Sequence, residues 1–215
     1  MNTKLVIFDM DGLMFDTETV SREAWKIAGK KVNIPVDDEL FLQFLGTNST
    51  YITNLLINKF GENSPYKDLI SERNIMADKL IEINGLRIKK GLKELLSYLK
   101  SNNIKRAVAT STSRERALKL LTLGGVVNDF DYIICGDEVT KSKPDPEIFL
   151  KVAEKLNVNP ENCVVLEDSR FGVYAARNAG MSPIMVPDLL IPDEELLSII
   201  YKKADDLVQV IDLIK

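Results

Sequence analysis

Lys4-Leu5-Val6-Ile7-Phe8-Asp9-Met10-Asp11-Gly12 is the stretch that decides the fold. Leu5 to Phe8 are four consecutive apolar residues, the pattern of a strand buried on both faces. The chain then changes at once to carboxylate, apolar, carboxylate, glycine. In open α/β sheets, ligands bind just outside the carboxyl ends of the strands, where these acids would stand. Two acids so placed repel each other unless a cation or a shared proton lies between them. Asp and Gly are also ordinary turn residues, so a plain turn is one reading. A calcium loop needs an oxygen ligand at its fifth position and Glu at its twelfth. Counted from Asp9 these are Leu13 and Val20, and calcium fails. A metal-assisted nucleophilic carboxylate fits both the strand and the paired acids.

Outward from this strand, residues 17 to 84 contain no convincing strand. Helical spacing dominates there: Trp25, Ile27 and Ala28, then Leu40 to Leu45, then Ile52, Leu55 and Leu56, then Leu69 to Ile83. Pro35, Gly46, Gly61 and Pro65 punctuate it. After Gly91 strands and helices alternate. Strands are predicted at Arg106 to Ala109, Tyr132 to Cys135, Cys163 to Leu166 and Ile184 to Val186. Helices are predicted at Leu92 to Leu99, Arg114 to Leu123, Pro146 to Leu156 and Phe171 to Ala179, with two more closing the chain. Such alternation means right-handed crossovers and a parallel sheet. The expectation is an α/β fold: a Rossmann-like parallel core from residues 1–16 and 87–215, with an all-helical insertion at 17–86. Connections near Phe15 to Thr17 and Gly85 to Lys90 would act as hinges.

At 215 residues, 45% hydrophobic and 28% charged, the chain has the profile of an ordinary globular protein able to bury a sizeable core. Its net charge of -4 and pI of about 5.1 give no basic footprint for nucleic acid or an anionic membrane. No apolar run is long enough to span a bilayer, and the start of the chain does not read as a signal peptide. Cys135 and Cys163 fall in predicted strands as small hydrophobes, consistent with a reducing cytoplasm. The chain contains no His. A Ser-His-Asp triad and a His-rich zinc site are therefore excluded, and oxygen-only ligation favours magnesium or manganese.

Each later strand end carries a suggestive group. Thr110-Ser111-Thr112-Ser113 offers hydroxyls and amides ahead of a helix, an anion site or a simple cap. Lys141-Ser142-Lys143-Pro144-Asp145-Pro146 is a charged turn, or a stiffened Lys aimed at a phosphate. Glu167-Asp168-Ser169 is an ordinary helix start, or the other half of an oxygen cage for a divalent cation. Taken singly, the first two favour the plain reading. Taken in order, Asp9-Met10-Asp11-Gly12, Thr110-Ser111, Lys143-Pro144 and Glu167-Asp168 resemble the four motifs of the haloacid dehalogenase superfamily. Residues 167 to 181 look especially like its fourth motif. Asp16-Thr17-Glu18 and the helical insertion resemble the branch of phosphoglycolate phosphatases and β-phosphoglucomutases, which carry a cap after the first motif.

The resemblance implies a role for each matching residue. Asp9 is the nucleophile that forms an aspartyl-phosphate. Magnesium is held by Asp9, the Asp11 carbonyl and Asp168, with Glu167 supporting it directly or through water. Lys143 pairs with the phosphoryl oxygens and with Asp9, while Thr110 and the Ser111 amide hold the rest of the group. Asp11 is general acid and then base. Gly12 permits the tight turn, and the cap closes over the reaction. Haloacid dehalogenases lack the second acid, so Asp11 points to phosphoryl transfer. A phosphonatase would need a Schiff-base Lys in the cap, where Lys26, Lys30 and Lys79 have no recognisable context. Mutases carry a cap His and an Arg where this chain has Ser21 and Ser49, which favours hydrolysis over mutase chemistry. A signalling receiver pairs similar groups, but without a helical insertion. The substrate expected is a small phosphorylated metabolite, with no nucleic-acid or membrane partner, on a monomeric cytoplasmic enzyme. Glu18, Arg22, Trp25, Asn48 and Ser49 are candidates for reading the leaving group. Arg22 and Arg73 are the cap cations suited to a second phosphate.

Overall fold

A computed structural model of the chain describes residues 2–215. Its centre is a six-stranded sheet: β1 (Leu5–Phe8), β2 (Lys105–Ala109), β3 (Tyr132–Ile134), β4 (Cys163–Glu167), β5 (Ser182–Met185) and β6 (Lys202–Lys203). The strand order is β3-β2-β1-β4-β5-β6, and every pair is parallel. All four side chains of β1 are fully buried, as are those of β4, because helices cover both faces. On one side lie α5 (Leu92–Ser101), α6 (Arg114–Leu123) and α10 (Leu207–Ile214), packed on Val6, Phe8, Val108 and Val164. On the other, α7 (Glu147–Lys155) and α8 (Arg170–Asn178) pack on Leu5, Ile7, Ala107 and Val165. Odd and even residues of β1 thus feed different cores, as the strand period of two requires. Helix α9 (Glu194–Ile199) sets Leu196 against Val173 and Met185.

Between β1 and α5 stand four helices: α1 (Thr17–Val32), α2 (Asp38–Leu42), α3 (Ser49–Phe60) and α4 (Tyr66–Asn84). They have an apolar cluster of their own around Trp25, Phe41, Phe44, Leu56 and Leu69. Burying each such side chain contributes about 1.5 to 3 kcal/mol, which gives this block its own source of stability. The chain enters and leaves it side by side. Asp16 donates its N–H to the Arg87 carbonyl and Lys89 to the Met14 carbonyl, both at 2.9 Å.

Two details depart from the sequence expectation. β5 starts at Ser182 rather than Ile184 because Pro183 is accepted within it, level with Val165. A sixth strand, Lys202–Lys203, pairs with β5 between the two final helices. Its exposed lysines suit a sheet edge, where charge discourages pairing with another chain.

Candidate active site

Strand register assembles the site. Phe8 is level with Val108 of β2 and Leu166 of β4. The residues just beyond, Asp9, Ala109 and Glu167, therefore form a row across the middle of the sheet. Asp9 is fastened there by donating its N–H to the Leu166 carbonyl at 3.0 Å. Thr110 continues β2, donating its N–H to the Ile134 carbonyl at 3.2 Å. The order β2-β1-β4 places the connections of β1 and its neighbours on opposite sides, which is where a crevice opens in such sheets.

Lys143 reaches into this row from the loop after β3. Its ammonium donates to Asp9 Oδ1 and Glu167 Oε1, both at 2.6 Å, and to the Ala109 carbonyl at 3.1 Å. All three donors are used. Burial pulls the Lys143 pKa down, but the Asp9 and Glu167 carboxylates outweigh it and the pKa is raised. The loop is held by Glu147, which accepts from the Thr140 and Lys141 amides and the Thr140 hydroxyl and pairs with Lys151 at 2.7 Å. Those contacts, Lys151 foremost, hold the Glu147 carboxyl down at about 2.

Glu167 is completely buried, and both its oxygens are occupied. Oε1 takes Lys143. Oε2 accepts from the Ser169 hydroxyl at 2.8 Å and the Ser169 amide at 3.2 Å. Ser169 in turn accepts from the Gly172 amide at 3.1 Å and so starts α8. Glu167 lies directly over Gly172: a Cβ there would fall well inside 3.0 Å of its carboxyl, closer than real Cβ atoms approach. Gly12 has a similar need. Its φ is +77°, and a Cβ would collide with the Asp168 carboxylate.

Asp11 is held separately. Its Oδ2 accepts from the Thr112 hydroxyl at 2.8 Å and the Thr110 hydroxyl at 3.4 Å. The sequence draws attention to the hydroxyl run but gives Thr112 no role, nor Ser169. The Thr112 contact with Asp11 crosses between two strand ends and leaves no local signature, whereas Ser169 folds back on Glu167 only two residues before it.

Asp9, Glu167 and Asp168 bring carboxylate oxygens within 4.8 Å of one another. Burial, followed by the nearby Asp9, Glu167, Glu18 and Asp188 carboxylates, raises the Asp168 pKa well above the usual range. Burial likewise pushes Asp9 up to about 8, against the pull of Lys143. Among the described residues Lys143 is the one cation paired within the cluster, and it touches Asp9 and Glu167 but not Asp168. Buried acids with this charge excess and an all-oxygen donor set fit a hard divalent cation. Glu167 is the least free of them, since Lys143 and Ser169 already use it.

Helices α1 to α4 sit over this row and enclose a cavity of about 680 Å³, a size suited to a small metabolite. Asp9, Asp11, Thr110, Ser111, Lys143 and Asp168 line its floor. Glu18, Ser21, Trp25, Asn48, Ser49 and Arg73 line it from above. Asn48 also caps α3 by accepting from the Tyr51 amide at 2.8 Å. Arg22 does not line the cavity: its Nε donates to Asp38 Oδ1 at 2.8 Å on the outer surface. Burial, with Asp11 adding to it, pushes the Glu18 carboxyl up to about 8. The upper block also touches the sheet half directly. Asp78 of α4 pairs with Arg116 and Lys119 of α6, and the Tyr51 ring meets that of Phe171 at 6.1 Å.

Comparison with known proteins agrees with this layout. Residues 6–186 match the family described as haloacid dehalogenase-like hydrolase. A phosphorylated carbohydrates phosphatase of Thermotoga maritima is 37% identical over 183 residues, covering 83% of this chain and 82% of that protein. A β-phosphoglucomutase of Bacillus subtilis is 32% identical over 189 residues, covering 85% and 83%. The crystal structure of a β-phosphoglucomutase from Clostridium difficile superposes with a TM-score of 0.80 at 29% identity, covering 97% of this chain and 93% of the other. No helix among the described residues is long and apolar enough to cross a membrane.

Proposed function

Because the chain belongs to the haloacid dehalogenase-like hydrolases, we propose that it is a magnesium-dependent phosphatase of small phosphorylated metabolites. The observation that carries this reading is the Lys143 ammonium, 2.6 Å from both Asp9 and Glu167 at the floor of the cavity. Lys143 holds one Asp9 oxygen, and the other serves as nucleophile. In line attack by that oxygen on phosphorus forms the Asp9–phosphoryl bond and breaks the bond to the leaving oxygen. Asp11, presented by the Thr112 hydroxyl, gives its proton to that leaving oxygen. It then takes a proton from the water that attacks phosphorus, which restores the Asp9 carboxylate and frees phosphate. The Thr110 hydroxyl and the Ser111 amide bind the phosphoryl oxygens, and the Lys143 ammonium, whose donors hold Asp9, Glu167 and the Ala109 carbonyl, contributes its positive charge beside them. Asp9, the Asp11 carbonyl and Asp168 are the residues that would hold the metal, which when bound supplies the positive charge needed for an anion to attack an anion.

The mutase relative supports a second reading, transfer of the phosphoryl group to a sugar phosphate. It needs a cap group that couples closure to proton transfer. At the position expected for the mutase His stands Ser21, whose hydroxyl accepts from Arg73 at 2.6 Å and so already has a partner within the cap. Hydrolysis is the better reading. The test offers β-glucose monophosphate, with a catalytic amount of the bisphosphate, and follows sugar isomerisation beside free phosphate. Phosphate release in step with substrate loss is expected. Isomerisation much faster than phosphate release would move the chain to the mutases.

A further inference from the structure

We propose that Arg73 is a subsite for a second oxyanion, so that preferred substrates carry a carboxylate or another phosphate on the leaving group. The inference rests on the phosphatase reading and names its substrate class. Arg73 lines the same cavity as Asp9 and Asp11. It is built into place: the guanidinium lies over the Trp25 ring at 5.5 Å, Nη2 donates to Ser21 Oγ at 2.6 Å, and Nη1 donates to Asn74 Oδ1 at 3.0 Å. Each of these partners is neutral. Among the described residues, no carboxylate oxygen lies within 4.0 Å of its guanidinium, and its Nε–H is buried with no acceptor.

A guanidinium held this way is costly unless something anionic comes to it. The neighbouring charges sharpen the point. Arg116 and Lys119 line the same cavity, and they share the single carboxylate of Asp78. Among the described residues, these three cations thus have one carboxylate in contact. The Glu18 carboxyl lines the cavity on the reaction side with Asp11, beyond ion-pair distance of Arg73. A substrate whose phosphoryl group lies on Lys143 has room within the cavity to turn its far end toward Arg73. The planar guanidinium suits a carboxylate or a phosphate alike. Arg22, the other cap arginine considered from sequence, is spent on Asp38.

The test measures phosphate release from glycerol phosphate, phosphoglycolate and a hexose bisphosphate: leaving groups with no second anion, a carboxylate and a phosphate. At least one of the last two is expected to exceed glycerol phosphate by about tenfold in kcat/KM, and which one does identifies the anion. Arg73→Gln is expected to reduce that ratio by about tenfold, mainly through KM, while Arg73→Lys, which keeps the charge, retains most of it. Equal kcat/KM across the three compounds, or a ratio unmoved by Arg73→Gln, would overturn the proposal. Calorimetric titration of Asp9→Asn protein reads the same subsite without turnover and with Arg73 intact. At least one of phosphoglycolate and hexose bisphosphate is expected to bind at least about tenfold tighter than glycerol phosphate; equal affinities across the three would also overturn the subsite. Failure to release phosphate from any compound, with either of those two still preferred in titration, would remove the phosphatase reading and leave the subsite standing.

Discussion

Replacing Gly172 by Ala should damage the protein although the substitution favours helices in general. Gly172 lies in the first turn of α8, where exchanging Gly for Ala normally stabilises by at most about 1 kcal/mol. Here the new methyl would fall inside 3.0 Å of the Glu167 carboxyl carbon and both its oxygens. Glu167 has nowhere to go: it is fully buried, with Lys143 on one oxygen and Ser169 on the other. Moving it breaks a buried ion pair, a loss of about 3 to 5 kcal/mol. Set against the helical gain, the net destabilisation is about 2 to 4 kcal/mol, or roughly 4 to 16 °C in Tm for a chain of this length. Displaced Glu167 also releases Lys143 from its position at Asp9, so kcat/KM should fall at least about tenfold. Thermal unfolding and phosphate release on the same preparation measure both. An Ala variant with raised Tm and parental activity would refute the clamp that places Lys143.

Metal and pH should be coupled. Burial raises the carboxyls of Asp9, Glu18 and Asp168, the first two to about 8, whereas unfolded carboxyls ionise near 4. Between about pH 5.5 and 7.5 the unfolded chain holds fewer of these protons, so metal-free stability should fall as pH rises across that window. Magnesium favours the ionised forms, so its gain in Tm should be larger at the upper end; a gain independent of pH would contradict the acid cluster as its site. Cys135 and Cys163 are buried, and burial pushes both thiols up to about 12. Near pH 8 neither should react with an alkylating reagent until the protein is unfolded. Rapid stoichiometric labelling of native protein would contradict their placement.

The fold was legible wherever residues are buried on both sides. β1 and the first four residues of β4, Cys163 to Leu166, are unbroken apolar runs because helices cover both sheet faces. β6 was not legible: two exposed lysines at a sheet edge carry no pattern of their own. Pro183 concealed the start of β5 for a related reason, since its residue type argues against the strand that holds it. Within the site, the paired acids stood out from their positions after apolar runs, whereas Thr110, Ser111 and Lys143 gained a role only from the resemblance of all four segments, in order, to the family motifs. Thr112 acts through a contact between separate strand ends, which spacing does not record, and Ser169 and Glu147 act through short-range side-chain contacts that residue type alone does not announce. Arg22 and Arg73 looked equivalent as cap cations, yet helix rotation sends one outward to Asp38 and the other into the cavity.

The central claim is a covalent phosphoryl group on Asp9, and reductive trapping tests it most directly. Borohydride converts an aspartyl phosphate to homoserine, and peptide mass mapping locates the change. Protein quenched during turnover with magnesium should show homoserine at position 9, and protein without substrate should not. Brisk turnover with no change at position 9, or Asp9→Asn activity within about tenfold of the parent, would contradict the account.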